Sequence, residues 1–514
     1  MESRNARVVK NTLFLYGRMI LLTIINLYTV RVTLDALGEM DYGIYTVVGS
    51  FVALFGIVTG TLTSASQRYL SFHLGKEDFA GYSHTFSMLL IGFCIVAAIV
   101  VAVAEVAGVF AFDGFLDIPA NKIKDAEIVY QASLAAFVVN MLAIPFTASI
   151  ISNERMQAFA YVSLIDGAMK LGLVFLLLSV SSGRLVLYGW LVLAESIIIL
   201  FSYYIYCHCQ FRYCRIKLVW DKGLLKELSS YTGWNLLGAM SGTLATQGQS
   251  VLLNVFFGPI INTAKGIADR IYNVIYSFSS NFYMAVNPQI IKSYAMNDLE
   301  RMRELATRSS KLSFMLLFLL SLPLISAMDP LLQVWLGPDG KTPEMVGFSR
   351  LVLIQGLVVC LENPITQMIR ATGKIKLYQI RVGVCTLMYI PIAWFVLKEG
   401  GSPLMTMVVL TSLTLAVQFV RIYQAHVQVG LDVVKYLKTV MLPIGLVGLI
   451  GTPLVFAIQF LTNESKFILC IEQGVSGLIV AIGLIWLIGL NRMEREFVIS
   501  KAKNFGPLKK LQRK

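Results

Sequence analysis

Residues 89–109 read LLIGFCIVAAIVVAVAEVAGV, twenty-one positions with one charged side chain, Glu105. As a helix rising about 1.5 Å per residue, this stretch is about as long as the roughly 30 Å hydrocarbon core of a bilayer is thick. Only lipid, or a shell of other helices, can face so much apolar surface. Outward from it, similar runs recur along the whole chain, about fourteen in all. Their centres lie near positions 22, 54, 98, 138, 169, 196, 244, 275, 320, 356, 387, 413, 449 and 479. The composition agrees: of 514 residues, 56% are apolar and 14% charged, and the mean hydropathy is +0.70. Soluble domains carry about 25% charged residues, so a soluble enzyme, a disordered chain and a disulfide-stapled secreted domain are excluded. The sequence predicts an all-α polytopic membrane protein.

Orientation follows from Lys and Arg. With both termini cytoplasmic and fourteen spans, 31 of the 43 fall in the termini and inside loops, 8 in outside loops, and four within spans (Arg18, Lys170, Lys265, Arg270). Such a bias is the positive-inside pattern. It also explains the net charge of +13 without nucleic acid. The first run, about 12–32, is too long for a signal-peptide core and reads as an uncleaved anchor. The seven cysteines lie mostly in or beside apolar runs, as small hydrophobes do. Cys207, His208, Cys209 and Cys214 lack zinc-ligand spacing, and no metal is expected there.

An internal repeat appears at an offset near 220 residues. Leu37-Gly38 precedes a helix ending Gln67-Arg68-Tyr69, and Phe257-Gly258 precedes one ending Asn287-Pro288-Gln289. Six spans separate the copies, so they point the same way, a transporter architecture with its site between the halves. This predicts two six-helix lobes, residues 1–215 and 216–430, around a central cavity. Two further helices (431–490) and a basic tail (491–514) follow.

Charges within spans need a reason, since each costs roughly 2.5–3.5 kcal/mol near the bilayer centre. Asp166 and Lys170 share one helical face, as do Lys265 and Asp269, and each pair can neutralise itself. Glu195 in the next run can join Asp166, making sodium or proton coupling the alternative role for Asp166, Lys170 and Glu195. Arg18 and Arg270 have no acid at helical spacing. Arg18 could snorkel to the cytoplasm, but Arg270 lies deeper in its run. Arg18 and Arg270, with Lys265 and Asp269, are expected to line a water-filled cavity whose occupant is an anion such as phosphate. Asn235, Gln247 and Gln249 complete a polar wall able to meet a sugar, although such residues also hold helices together. No Walker A loop, HExxH or catalytic triad is present, which points away from an enzyme.

The stretch Arg31-Val-Thr-Leu-Asp-Ala-Leu37-Gly38, with Asp41-Tyr42-Gly43 and Gln67-Arg68-Tyr69-Leu70, resembles the start of bacterial polysaccharide and O-antigen flippases. These belong to the multidrug/oligosaccharidyl-lipid/polysaccharide (MOP) exporter superfamily. Ala268-Asp269-Arg270 is similar to a lipid II flippase segment whose arginine faces a cationic cavity. The resemblance implies alternating access in the bacterial inner membrane and no cofactor. The substrate it implies is an oligosaccharide on polyprenyl pyrophosphate, with polysaccharide-polymerase machinery as partner. Its rival within the same fold is a multidrug extruder that exchanges organic cations for sodium or protons. A scaffold would leave the buried charges unexplained.

Overall fold

A left-handed glycine sets the first turn of the architecture. In the computed structural model, helix α1 (Arg4–Ala53) breaks at Gly38, with φ +77°. An L side chain there would be strained, so the Leu37-Gly38 motif has a conformational cause. Residues 4–53, 55–110, 112, 119–180, 183–217, 220–336, 342–459, 466–492 and 494–496 are described. The first half continues with α2 (Gly56–Gly75), α3 (Phe79–Phe110), α4 (Ile123–Leu142), α5 (Ile144–Ser152), α6 (Met156–Leu178) and α7 (Arg184–Gln210). The second half begins with α8 (Lys222–Phe257), α9 (Pro259–Ala295), α10 (Leu299–Leu336), α11 (Pro343–Val359) and α12 (Glu362–Ala371). It continues through α13 (Lys376–Leu387), α14 (Tyr389–Lys398) and α15 (Met405–Val429). The last helices are α16 (Val433–Tyr436), α17 (Leu442–Gln459) and α18 (Lys466–Leu484). No strand occurs among the described residues.

The duplication is visible in the backbone. Helices α3 and α10, α4 and α11, and α6 and α13 begin 220 residues apart, and α2 and α9 end 220 apart. Left-handed residues repeat with them: Gly38 with Gly258, Glu77 with Asn297, Glu154 with Gly373, and Gly183 with Gly400. The turns between helices are thus inherited as backbone conformations even where the side chains differ.

Among the described residues, ten helices are long and apolar enough to cross a membrane. The other four expected runs, near 22, 54, 244 and 275, are also helical, on α1, α1–α2, α8 and α9, and the last two, with Asn235, Gln247, Gln249, Lys265, Asp269 and Arg270, are the more polar. The four are the first two runs of each repeat.

Two units emerge. The first comprises Met1–Met240, Met284–Met302 and Arg370–Gln379; the second comprises Ser241–Tyr283, Arg303–Ile369 and Ile380–Lys514. The first has a core of fully buried rings and aliphatics, including Tyr82, Phe86, Phe93 and Ile150. In the second, Tyr389, Ala393 and Leu397 pack with Ala245 and Leu252. The break between α11 and α12 has a specific cause. Pro364 has no N–H to bond the carbonyl of Cys360 four residues earlier. The hydroxyl of Tyr283 donates to that carbonyl instead, and Gln418 Nε2 donates to the carbonyl of Leu361 at 3.1 Å. Side chains thereby replace backbone partners that lipid could not supply.

Candidate functional site

The first unit gathers charges from three helices. On α6, Lys170 Nζ lies 2.8 Å from Asp166 Oδ1, as the four-residue spacing requires. On α7, Glu195 is 3% exposed and faces Asp166, and its Oε1 is buried without a hydrogen-bond partner. Two carboxyl groups that face one another can share a single proton. Asn140 Nδ2 donates to Ser196 Oγ at 3.1 Å beside Glu195, tying α4 to α7.

Helix α1 reaches this cluster because α6 carries Gly167. A Cβ there would lie 2.6 Å from Leu22 Cδ2, so a larger residue would have to displace the Leu22 side chain. Arg18 consequently projects between the helices, its guanidinium 4.6 Å from the ring centroid of Phe159 and within electrostatic reach of Asp166. Its Nε is buried without a hydrogen-bond partner. The structure thus brings Arg18, Asp166, Lys170 and Glu195 together.

The remaining expected residues are dispersed. Lys265 Nζ bonds Asp269 Oδ2 at 2.6 Å on α9, with the lysine buried and the acid half-buried. Arg270 is exposed and has no ion pair or hydrogen bond with the described residues. Gln247 is exposed on α8. Asn235 and Gln249, expected at a polar wall, are buried in helix–helix contacts. Asn235 Oδ1 accepts from Gln379 Nε2 at 3.0 Å, and Gln249 Nε2 donates to Thr406 Oγ1 at 3.0 Å. Asp41 pairs with Lys122 at 2.8 Å. Gln67 offers its carbonyl to Ser152 Oγ at 3.4 Å. Arg68 is enclosed by Tyr69 and Tyr231, its guanidinium 4.3 and 5.1 Å from their centroids. Arg31 lies on α1, and its side chain is outside the described residues.

Sequence reading misses a second buried ion pair. Arg421, sorted by position with the inside loops, lies within the apolar helix α15, and its Nη2 is 3.0 Å from Glu362 Oε2 at the start of α12. The nearby Pro364 was the available signal, since it breaks the helix that presents Glu362. Arg381 Nη1 donates to Gln424 Oε1 at 2.7 Å in the same unit.

Comparison with known proteins agrees with this architecture. A family model described as MatE matches residues 250–395. No curated protein matches the sequence. A MATE crystal structure in the straight conformation superposes with a TM-score of 0.68 at 13% identity, covering 83% of this chain and 96% of that one. An outward-facing multidrug resistance MATE family transporter of the MOP superfamily gives 0.67 at 13% identity over the same shares. A MOP superfamily transporter from Pyrococcus furiosus, described as having a binding pocket of reverse polarity that suggests a different function, gives 0.66 at 14% identity, again over 83% and 96%. The matched structures are described as MATE and MOP transporters, and the expectation of flippase specificity gains no support from them. The chain is a multi-pass membrane protein with the fold of the MATE transporters.

Proposed function

We propose that this protein is a proton-coupled antiporter that exports amphipathic organic cations by alternating access, with Asp166 and Glu195 as the coupling groups. The observation that carries this reading is the buried Glu195 carboxyl facing Asp166 in one lobe, with one Glu195 oxygen left without a hydrogen-bond partner. A proton suits the pair better than sodium, because the Lys170 ammonium, 2.8 Å from Asp166 Oδ1, occupies an oxygen that a coordinated metal ion would need. The polarity of the first two helical runs of the second repeat, α8 and α9, supports a hydrated path, since such helices need shielding from lipid. The likeness to a multidrug resistance MATE transporter favours this substrate class.

A second reading, flipping of a polyprenyl-pyrophosphate-linked oligosaccharide, rests on a different observation. Among the described residues Arg18 has no acid within ion-pair distance, and Arg270 is exposed and unpaired. Unpaired cations suit an anion, and the Pyrococcus furiosus relative is described as having reversed pocket polarity. Reconstituted liposomes discriminate between the two. The antiporter should move a fluorescent organic cation against an imposed pH gradient and leave a fluorescent lipid-linked oligosaccharide in place. The opposite pattern would establish the second reading.

A further inference from the structure

Two segments of the second repeat, Met284–Met302 and Arg370–Gln379, belong to the first unit rather than to their own. They meet it through equivalent positions. Gly75, the last residue of α2, abuts Ala295, the last residue of α9 and its counterpart 220 residues on. A Cβ at Gly75 would lie 2.7 Å from both Ala295 Cβ and the Lys292 carbonyl oxygen. Phe72 and Tyr294 lie alongside, with centroids 6.4 Å apart.

On either side of this contact, the left-handed turn of each repeat grips the helix end of the other. Glu154, at φ +60° between α5 and α6, accepts from Lys292 Nζ at 2.7 Å and Gln289 Nε2 at 3.2 Å, both on α9. Its own carbonyl accepts from Asn11 Nδ2 at 3.2 Å, and its side chain is 7% exposed. The equivalent turn holds Gly373, at φ +76°, against the guanidinium of Arg68 on α2, where a side chain would collide. Arg68 Nη2 donates to the Ala371 carbonyl at 3.4 Å, and Arg370 Nη1 donates to Ser64 Oγ at 3.3 Å.

We propose that these contacts form a reciprocal latch that closes the basic, N-terminal side of the protein, ionic in one half (Glu154 with Lys292) and steric in the other (Arg68 with Gly373). Glu154, Lys292, Arg68 and Gly373 then control access and do not bind substrate. Because the two halves flank one contact between equivalent residues, breaking the ionic half loosens the steric half. The latch bears on transport only if access alternates as proposed above, but its closure is measurable without any substrate.

The test uses the full-length protein in liposomes, with Ser64→Cys as a reporter in the steric half. Labelling by a membrane-impermeant maleimide is read at that peptide by mass spectrometry, which separates it from the native cysteines. Glu154→Lys or Lys292→Glu should raise the labelling rate on the order of tenfold, the worth of a hydrogen bond to a charged group. The double variant Glu154→Lys/Lys292→Glu should return it close to the parent. Should either single variant fail to fold, Glu154→Gln serves, with the same expected rise. An unchanged rate in Glu154→Gln, or a double variant labelling as fast as the singles, overturns the latch. Failure of cation transport alone would bear only on the proposed function.

Discussion

The ion pair of Arg421 and Glu362 allows a perturbation whose size follows from its geometry. At 3.0 Å the two charges attract by roughly 5 kcal/mol at an effective dielectric of about 20. Desolvation costs several kcal/mol for each ion, so the intact pair is close to break-even. Removing one partner is another matter, because it leaves the other charge buried. The Arg421 side chain is 8% exposed and that of Glu362 25%, so water relieves a stranded carboxylate better than a stranded guanidinium. Arg421→Met should therefore cost about 3 kcal/mol, and Glu362→Gln rather more, about 3–5 kcal/mol. The double variant should cost about 2 kcal/mol or more less than the sum of the singles, since neither charge is then left alone. Reversible SDS unfolding of the purified protein, followed by tryptophan fluorescence, yields the double-mutant cycle. Singles that each cost under about 1 kcal/mol and add independently would refute the reasoning.

Three other outcomes follow from particular contacts. The Gly81 amide, with His73 adding to it against the opposing effect of desolvation, holds the Asp78 carboxylate below the usual range at the start of α3. A depressed acid stabilises above its unfolded value and loses that contribution as pH falls. Asp78→Ala should thus lower thermal stability at pH 7 by about 1 kcal/mol or less, and the difference from the parent should shrink below about pH 4. Burial pushes the Cys214 thiol up to about 11, while Cys209 is exposed, so maleimide at pH 7 should label Cys209 and spare Cys214 in peptide mass spectra. Gly38→Ala and Gly258→Ala each force a side chain to positive φ and should each lower stability by about 1–2 kcal/mol, measured by the same SDS titration.

Local signals in the sequence were enough for much of this architecture. Fourteen apolar runs became helices, and the Gly38 and Gly258 motifs proved to be left-handed turns that a repeat must preserve. The pairs Asp166–Lys170 and Lys265–Asp269 were legible because four residues on a helix bring side chains together. Pairs distant in sequence were not. Glu154 and Lys292 are 138 positions apart, and no periodicity links them. Arg421 looked like a loop residue because it sits eight positions from the end of α15, where its depth depends on where the helix stops. Asn235 and Gln249 looked like a polar wall, since an amide that lines a path and one that joins two helices look alike until the neighbouring helix is placed.

The central claim is that the Asp166–Glu195 pair couples proton movement to export of an organic cation. Proteoliposomes carrying the full-length protein or Glu195→Gln, loaded with a pH-sensitive dye, test it most directly. On addition of a cationic substrate, the parent should move protons in the opposite direction, and Glu195→Gln should bind the substrate but move no protons. Substrate transport by Glu195→Gln with parental proton flux would contradict the account.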